Sequence, residues 1–379
     1  MTRTPRPVGR TGHLEEILRA LYPHPYRLRG RGVPVASYRL VHPGRPRLLV
    51  PARRHLAAAA LRCVAPPASP SARLGIRIGA AFPGVTRLLP CVRVYGPDQG
   101  IRFDRFLSTA LGAGPVHMVL HIGGPARSNR KPVAALLDDA GNPVGYAKVG
   151  IGPLSDALIR AERAALQTVA PCGLRRVRVP ALRYAGRWRD HEVAVTAALP
   201  VWQPAVPNRT LLAEAAAEIA RCRGTHRAPL STSRYAEALR FAVHRTRDAR
   251  LQAALEAVLD RHGVTELEYG ACHGDWTPWN THPLADAVLA WDWERFAVGV
   301  PVGFDALHYE VAAASPKDEL PDPARLLAPM RVPPEEARLV AALYLIDIAA
   351  RYANDQQRTA ASRTVAERLL PRMVKELCP

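Results

Sequence analysis

Apolar positions along this chain recur with two periods, and the places where the period changes divide it into parts. In the first third the periods alternate. Leu14, Ile17, Leu18 and Leu21 sit at helical spacing and predict a helix over residues 13–21. Residues 38–41 and 48–50 read as short strands joined by a turn at His42-Pro43-Gly44. An alanine-rich helix follows over 53–64, then a Pro/Ser loop over 66–72, a strand over 91–95 and a helix over 101–111. The first ten residues show no periodicity and read as disordered. The pattern predicts a small α/β unit that ends at the glycine-rich stretch 112–115.

Residues 116–199 are strand-rich. Strands are expected over 116–122, 133–137 and 144–149, with a turn-rich loop (Gly123 to Pro132) between the first two. A helix over 155–169 carries Asp156 near its N-terminus, where an acid suits the helix dipole. Strands over 178–184 and 192–196 complete the sheet, and residues 197–200 form a hinge. From Trp202 onward the reading is helical. Asn208 caps a helix over 211–223, and others follow over 235–245, 251–261 and 305–314. Pro333-Pro334-Glu335-Glu336 opens a long apolar helix that runs to 352, and a last helix covers 363–377. No internal repeat is visible. The organisation expected is therefore 1–115, a basic N-terminal α/β extension; 116–199, a strand-rich lobe; and 200–379, a helical lobe.

Candidate chemistry is concentrated in residues 271–294, ACHGDWTPWNTHPLADAVLAWDWE. His273-Gly274-Asp275 and Asn280 fall on a turn. The apolar run 287–291 reads as a strand, and Asp292 stands at its exit. An aspartate on a loop, with an asparagine and a second aspartate close by, suits one task. The first accepts or orients a hydroxyl proton, and the other two hold magnesium beneath a nucleoside triphosphate. Four of the six tryptophans (276, 279, 291, 293) lie in this segment, either as packing that stiffens the loop or as an aromatic wall for a substrate.

The pieces HGDWTPWN and AWDWE resemble the signature of the aminoglycoside phosphotransferase-like, or choline kinase-like, small-molecule kinases. In that family an HGD-x4-N catalytic loop precedes a metal-binding Asp on the next strand. The resemblance covers roughly residues 116–376 and is strongest at 271–294. It implies an α+β, bilobal protein-kinase-like fold with a strand-rich N-lobe and a helical C-lobe, and transfer of phosphate from ATP, or GTP, to a small-molecule hydroxyl. Asp275 would be the catalytic base, and Asn280 and Asp292 the ligands of Mg2+. Lys148, on the third strand of the strand-rich lobe, would bind the α- and β-phosphates, and Glu162 on the following helix would hold Lys148. A lysine is informative here, because the chain has four lysines against forty-eight arginines. Asp305 would brace the catalytic loop, His273 would fix it, and Glu294 would support the metal from behind. One departure stands out. The loop after the first strand of this lobe is not GxGxxG but Gly123-Gly124-Pro125, followed by a polar, basic run through Ser128, Asn129, Arg130 and Lys131. Its contact with phosphate stays open.

Composition changes the picture in two ways. The 379 residues carry a formal charge of +19, and residues 1–115 alone hold 19 arginines and 4 acids. This imbalance points to an acidic partner for the first third or to a plain solvated face. It also makes a neutral or anionic acceptor a better fit than a polycation. No nucleic-acid motif appears. Six scattered cysteines without a CxxC pair, no apolar run of transmembrane length and no apolar leader fit a cytoplasmic protein. Two further readings remain open at this point: a kinase acting on Ser or Thr of a peptide or protein, with the basic third as docking surface, and a non-catalytic kinase-like module that binds a nucleotide or polyanion. A His–Asp hydrolase lacks a nucleophile motif such as GxSxG.

Overall fold

A computed structural model describes residues 10–41, 48–63, 70–122, 131–315, 318–357 and 359–378. The expected turn at His42-Pro43-Gly44 and the Gly123 to Arg130 stretch of the polar loop lie outside them. The chain forms two compact units, Met1–Arg163 with Pro180–Gln203, and Ala164–Val179 with Pro204–Pro379.

The first unit is built on one sheet. In chain order it contains α1 (Arg10–Leu21), β1 (Ala36–Val41), β2 (Leu48–Pro51), α2 (Arg54–Cys63), α3 (Pro70–Ala81), β3 (Cys91–Val94), α4 (Phe103–Ala110), β4 (His117–His121), β5 (Val133–Leu137), β6 (Pro143–Val149) and the start of α5 (Pro153–Val169). After a short β7 (Val177–Arg178) that belongs to the second unit, β8 (Leu182–Trp188) and β9 (His191–Ala197) return to it. The strands lie in the order β3-β1-β2-β4-β5-β6-β9-β8, antiparallel throughout. Alternation along each strand gives the sheet two apolar faces. Leu49, Met118, Leu120, Ala147 and Val149 pack with Leu14, Ile17, Leu18 and Leu21 of α1 and Phe103 and Leu107 of α4. Val50, Val119, Ala135 and Leu137 pack with Ala57, Ala59, Ala60 and Leu61 of α2. Trp188 joins the first face: its indole N–H donates to the Ala20 carbonyl at 2.8 Å, and Phe103 and Phe106 lie against its ring at 5.4 and 5.1 Å.

The first third is therefore not a separate layer of structure. β1, β2 and β3 continue the sheet of residues 117–197, so the boundary expected at 112–115 falls inside one compact unit. The α+β division of the chain, strands first and helices after, is as expected. A cavity of about 990 Å³ in this unit is lined by Tyr22, Tyr38, Arg53, Arg102, Asp104 and Arg105, among others.

The second unit carries α6 (Arg209–Arg221), β10 (His226–Pro229), α7 (Arg234–Thr246), α8 (Ala249–His262), β11 (Glu266–Cys272), β12 (Thr281–Pro283), β13 (Val288–Ala290), β14 (Ala297–Pro301), α9 (Phe304–Ala313), α10 (Pro323–Leu327), α11 (Pro334–Asn354), α12 (Ala360–Thr364) and α13 (Leu370–Leu377). Asn208 caps α6, its side chain accepting the Leu211 N–H at 3.0 Å. The 21-residue α11 is buried on most of its circumference and forms the axis of the unit.

Four local expectations are corrected. The strand read over 178–184 is two strands: Val177 and Arg178 pair in parallel with Val288 and Leu289, and only Leu182 onward enters the large sheet. Pro180 between them has no N–H for a continuous ladder. The region after Trp202 is not all helix, because two three-stranded sheets, β10-β11-β14 and β12-β13-β7, carry its loops. The last helix is interrupted by a π-turn at Val365–Leu369. Pro371 removes the N–H that would bond to Glu367 and crowds that carbonyl. α3 was not expected; Pro70 sits at its first position, where proline costs nothing, and Leu74 and Ile78 are exposed, which blurs the amphipathic signal. No helix among the described residues is long and apolar enough to cross a membrane, and all six cysteines are free thiols.

If α1 and the sheet share one core, Leu18→Ala (Leu18 is fully buried) should lower unfolding stability by about 2–5 kcal/mol in urea titration. The Trp188 fluorescence change should move with the loss of α1 helicity; a separate, earlier loss of helix signal would refute a shared core.

Candidate functional site

The segment singled out in the sequence folds as a strand, a loop and a tight hairpin. β11 delivers the chain to His273, and its register against β14 shifts between Gly270 and Ala271. The loop then turns at Gly274, whose φ is +78°, and a Cβ there would stand 2.1 Å from the Arg295 carbonyl oxygen. Only glycine suits both constraints. β12 and β13 pair with Thr281 opposite Ala290, so Asn280 and Trp291 meet at the open end of the ladder. The Trp291 N–H donates to the Asn280 carbonyl at 3.2 Å. Asp292 follows at once in left-handed conformation, φ 69° and ψ 52°, a region that non-glycine residues rarely adopt. The hairpin thus brings Asn280 and Asp292 to one end although twelve positions separate them.

Hydrogen bonds fix the loop from three directions. The Asp305 carboxylate, at the start of α9, accepts the backbone N–H of His273 at 2.7 Å and of Gly274 at 3.0 Å. It is buried, and burial holds its carboxyl above the usual range. The His273 ring accepts the Asp275 N–H at Nδ1 (3.2 Å), so the remaining nitrogen, Nε2, donates to the Trp291 carbonyl at 3.1 Å. Its ring lies 4.5 Å from that of Trp293 and 5.8 Å from that of Trp276. Both of those tryptophans are fully buried, whereas Trp279 is 61% exposed. Two of the four tryptophans therefore pack the loop, and one is open to solvent.

Asp275 itself is clamped. Asn280 Nδ2 donates to Asp275 Oδ2 at 2.7 Å and to the Asp275 carbonyl at 3.0 Å. With both amide hydrogens spent, the Asn280 side-chain carbonyl remains as an acceptor. At the other oxygen, His308 Nε2 lies 3.1 Å from Oδ1 and Arg351 Nη2 3.9 Å. Arg351 also donates to the Gly274 carbonyl. Burial pushes the Asp275 carboxyl up, but the His308 hydrogen bond and the charge of Arg351 outweigh it and hold Asp275 below the usual range. It is an anion at neutral pH.

In the first unit, Lys148 lies on β6 between Val133 of β5 and Ala194 of β9. It is 8% exposed, and its Nζ is 2.5 Å from Oε1 of Glu162, which is 1% exposed. This is not a surface lysine. An ion pair this enclosed gains little net stability, but losing one partner strands the other charge at a cost of about 3–5 kcal/mol.

Sequence reading did not find His308, Tyr344 or Arg351. His308 Nδ1 sits 2.8 Å from the Tyr344 hydroxyl. A spacing signal existed. His308 is three residues after Asp305 and so on the same face of α9, and Tyr344 and Arg351 are seven apart on α11, again one face. Oxygen donors from Asn280 and Asp292 suit a hard cation such as magnesium, and an anionic Asp275 suits contact with a hydroxyl.

No protein-family model matches the chain, and no curated protein matches it. Several solved structures are similar. A thermostable mutant of an aminoglycoside phosphotransferase, in ternary complex with ADP and hygromycin B, is 13% identical, with TM-score 0.48 over 72% of this chain and 97% of that one. A spectinomycin phosphotransferase in complex with ADP and spectinomycin is 12% identical, with TM-score 0.44 over 74% and 99%. A choline/ethanolamine kinase family protein from Mesorhizobium loti is 15% identical, with TM-score 0.42 over 70% and 88%.

Two outcomes are expected here. Gly274→Ala should cost at least about 1–3 kcal/mol from backbone strain alone, read as a fall in Tm. Burial lowers the pKa of both His273 and His308, so each stays neutral in the fold while the unfolded chain takes up protons below about pH 6.5. Stability must then fall as pH drops through that value, and His308→Gln should shrink the difference in Tm between about pH 7 and about pH 5.

Proposed function

We propose that this chain is a magnesium-dependent phosphotransferase that moves the γ-phosphoryl group of ATP or GTP to a hydroxyl of a small molecule. The observation that carries this reading is the orientation of Asn280. Both of its amide hydrogens are committed to the anionic Asp275, which leaves its side-chain carbonyl oxygen as a ligand at the end of the hairpin that Asp292 follows. Oxygen ligands of this kind suit a hard cation rather than a bare anion.

In this reading Asn280 and Asp292 hold magnesium, which when bound would neutralise charge on the phosphates. Lys148, oriented by Glu162, carries the charge of the α- and β-phosphates. Asp275 accepts a hydrogen bond from the acceptor hydroxyl and aims its oxygen at the γ-phosphorus. A P–O bond forms to the acceptor, the bond to the leaving diphosphate breaks, and the hydroxyl proton passes to Asp275. Because Asp275 is already stabilised by His308 and Arg351, it is a weak base, and its main contribution is orientation. The proton leaves late, once the oxygen has begun to bond to phosphorus.

The basic first third belongs to the same proposal as a contact for an acidic partner, with Arg53, Arg102 and Arg105 around its cavity. Deleting that third is no test of a docking role, because it removes three strands of the central sheet.

The deciding experiment is thermal unfolding with and without Mg-ATP or Mg-GTP. At a hundredfold excess over Kd the nucleotide should stabilise the wild type by about 2.7 kcal/mol. The shift should require magnesium and vanish in Asp292→Ala. Asp275→Asn should keep the shift and lose about 10²-fold or more in turnover of γ-labelled nucleotide in a screen of hydroxylated metabolites. A wild type indifferent to both nucleotides would overturn the proposal.

A further inference from the structure

Behind Asp275 lies a buried polar chain that the proposed reaction does not by itself require. Tyr344 on α11, His308 on α9 and Asp275 on the loop stand in line, with the Tyr344 hydroxyl 2.8 Å from His308 Nδ1 and His308 Nε2 3.1 Å from Asp275 Oδ1. Tyr344 is 3% exposed and His308 4%. Arg351 Nη2 comes within 3.4 Å of the same Nε2. An imidazole in this position has two neutral forms, and they exclude each other. With its proton on Nε2, His308 donates to Asp275 and accepts from the Tyr344 hydroxyl. With its proton on Nδ1, it donates to Tyr344, accepts from Arg351, and turns a bare lone pair toward a carboxylate oxygen at 3.1 Å.

Relying on the phosphotransfer reading for its catalytic consequence, we infer that His308 is a positioning residue for Asp275, held as the Nε2–H tautomer by the carboxylate and supported by Tyr344. The carboxylate decides the tautomer. A charge-assisted N–H bond to an anion is about twice as strong as a neutral one, whereas two lone pairs facing each other in a dry site repel. Tyr344 completes the arrangement, because its hydroxyl can donate only if Nδ1 is unprotonated. Arg351 then does not bond to the ring. Its guanidinium is anchored instead on the Gly274 carbonyl and adds charge beside Oδ1.

The geometric effect is a two-point clamp. Asn280 holds Oδ2 at 2.7 Å, and His308 holds Oδ1 from the other side. With both oxygens pinned the carboxylate plane cannot rotate about its χ2 angle, a torsion that is otherwise soft. Each oxygen keeps one lone-pair direction, and the clamp fixes where those directions point for the acceptor hydroxyl. If the plane turns, the hydroxyl is still bound but no longer aimed, so the loss appears in the rate of transfer rather than in nucleotide binding. The clamp reaches the loop from two helices, α9 and α11, so the aim of Asp275 depends on the core of its unit and not on the loop alone.

The test has two independent readouts on the full chain. The first is long-range 1H–15N NMR of the uniformly 15N-labelled protein, with His308 assigned by the signal that disappears in His308→Gln. The expected spectrum has a protonated Nε2 and an unprotonated Nδ1. A proton on Nδ1 in the wild type overturns the inference, whatever the enzyme does. The second is the steady-state release of γ-phosphate from Mg-ATP with water as acceptor. His308→Ala should lower kcat by at least about tenfold with KM for Mg-ATP unchanged, and His308→Gln, which keeps an N–H donor, should recover part of it. Tyr344→Phe should give a smaller fall in kcat. Unchanged kcat in His308→Ala overturns the inference. So does a parallel loss of nucleotide binding, which marks a structural role only. A wild type whose unfolding ignores both Mg-ATP and Mg-GTP sinks the phosphotransfer reading instead, and the NMR result still decides the tautomer.

Discussion

The arrangement of the second unit depends on one buried carboxylate whose two oxygens bind backbone. Asp305 is anchored in the first turn of α9, and its two oxygens take the N–H groups of consecutive loop residues, His273 and Gly274. Two donors from adjacent amides reward only one backbone conformation, and Gly274 makes that conformation accessible with its positive φ. From there the order propagates through directional contacts. The His273 ring reaches the Trp291 carbonyl, the hairpin ladder aligns Asn280 with Trp291, and Asn280 reaches back to Asp275. A buried polar network of this kind specifies geometry when every member is satisfied, and the enclosing rings of Trp276 and Trp293 keep water from competing.

The first unit solves a different problem. Its buried ion pair joins Lys148, between apolar strands of the sheet, to Glu162 on α5. Burial on that scale makes the pair weak evidence for stability and better evidence for function. A structural position would be filled more cheaply by two aliphatic side chains. The local chemistry explains the choice of lysine in an arginine-rich chain. A compact ammonium on a flexible stem fits the single Glu162 oxygen it meets, whereas a guanidinium would need a planar fork of acceptors.

Much of this could be read from the sequence, for identifiable reasons. Asp275, Asn280 and Asp292 were visible because the hairpin between them is short, so spacing in sequence translates into spacing in space. Lys148 and Glu162 were visible through the strand–helix order around them. Helix starts such as Asn208 were visible because capping is local. His308, Tyr344 and Arg351 are joined to the loop across 33 to 77 positions of sequence separation, and the helical spacing of His308 from Asp305 gives a shared face but not the loop aspartate it meets. The union of β1–β3 with the later strands was hidden for the same reason. Each short strand looked complete, and only long-range pairing shows that none of them has an edge of its own except β3. Where the reading failed locally, at Pro180 and Pro371, the proline was in plain view, but its effect depended on which ladder or helix the chain was trying to continue.

The bond between the Trp188 indole and the Ala20 carbonyl spans 168 positions. On the ribosome this sets an order of events. The first helix emerges with its apolar face exposed, and Trp188 and the last two strands, which complete the face it packs against, are made only when half of the chain exists. Until then Leu14, Ile17, Leu18 and Leu21 have only part of their surface to bury. Such long-range closure slows folding and prolongs exposure of sticky surface. The strongly cationic first third has a use in that interval that does not depend on any ligand: like charges on neighbouring nascent chains hold them apart while the sheet waits for its final strands.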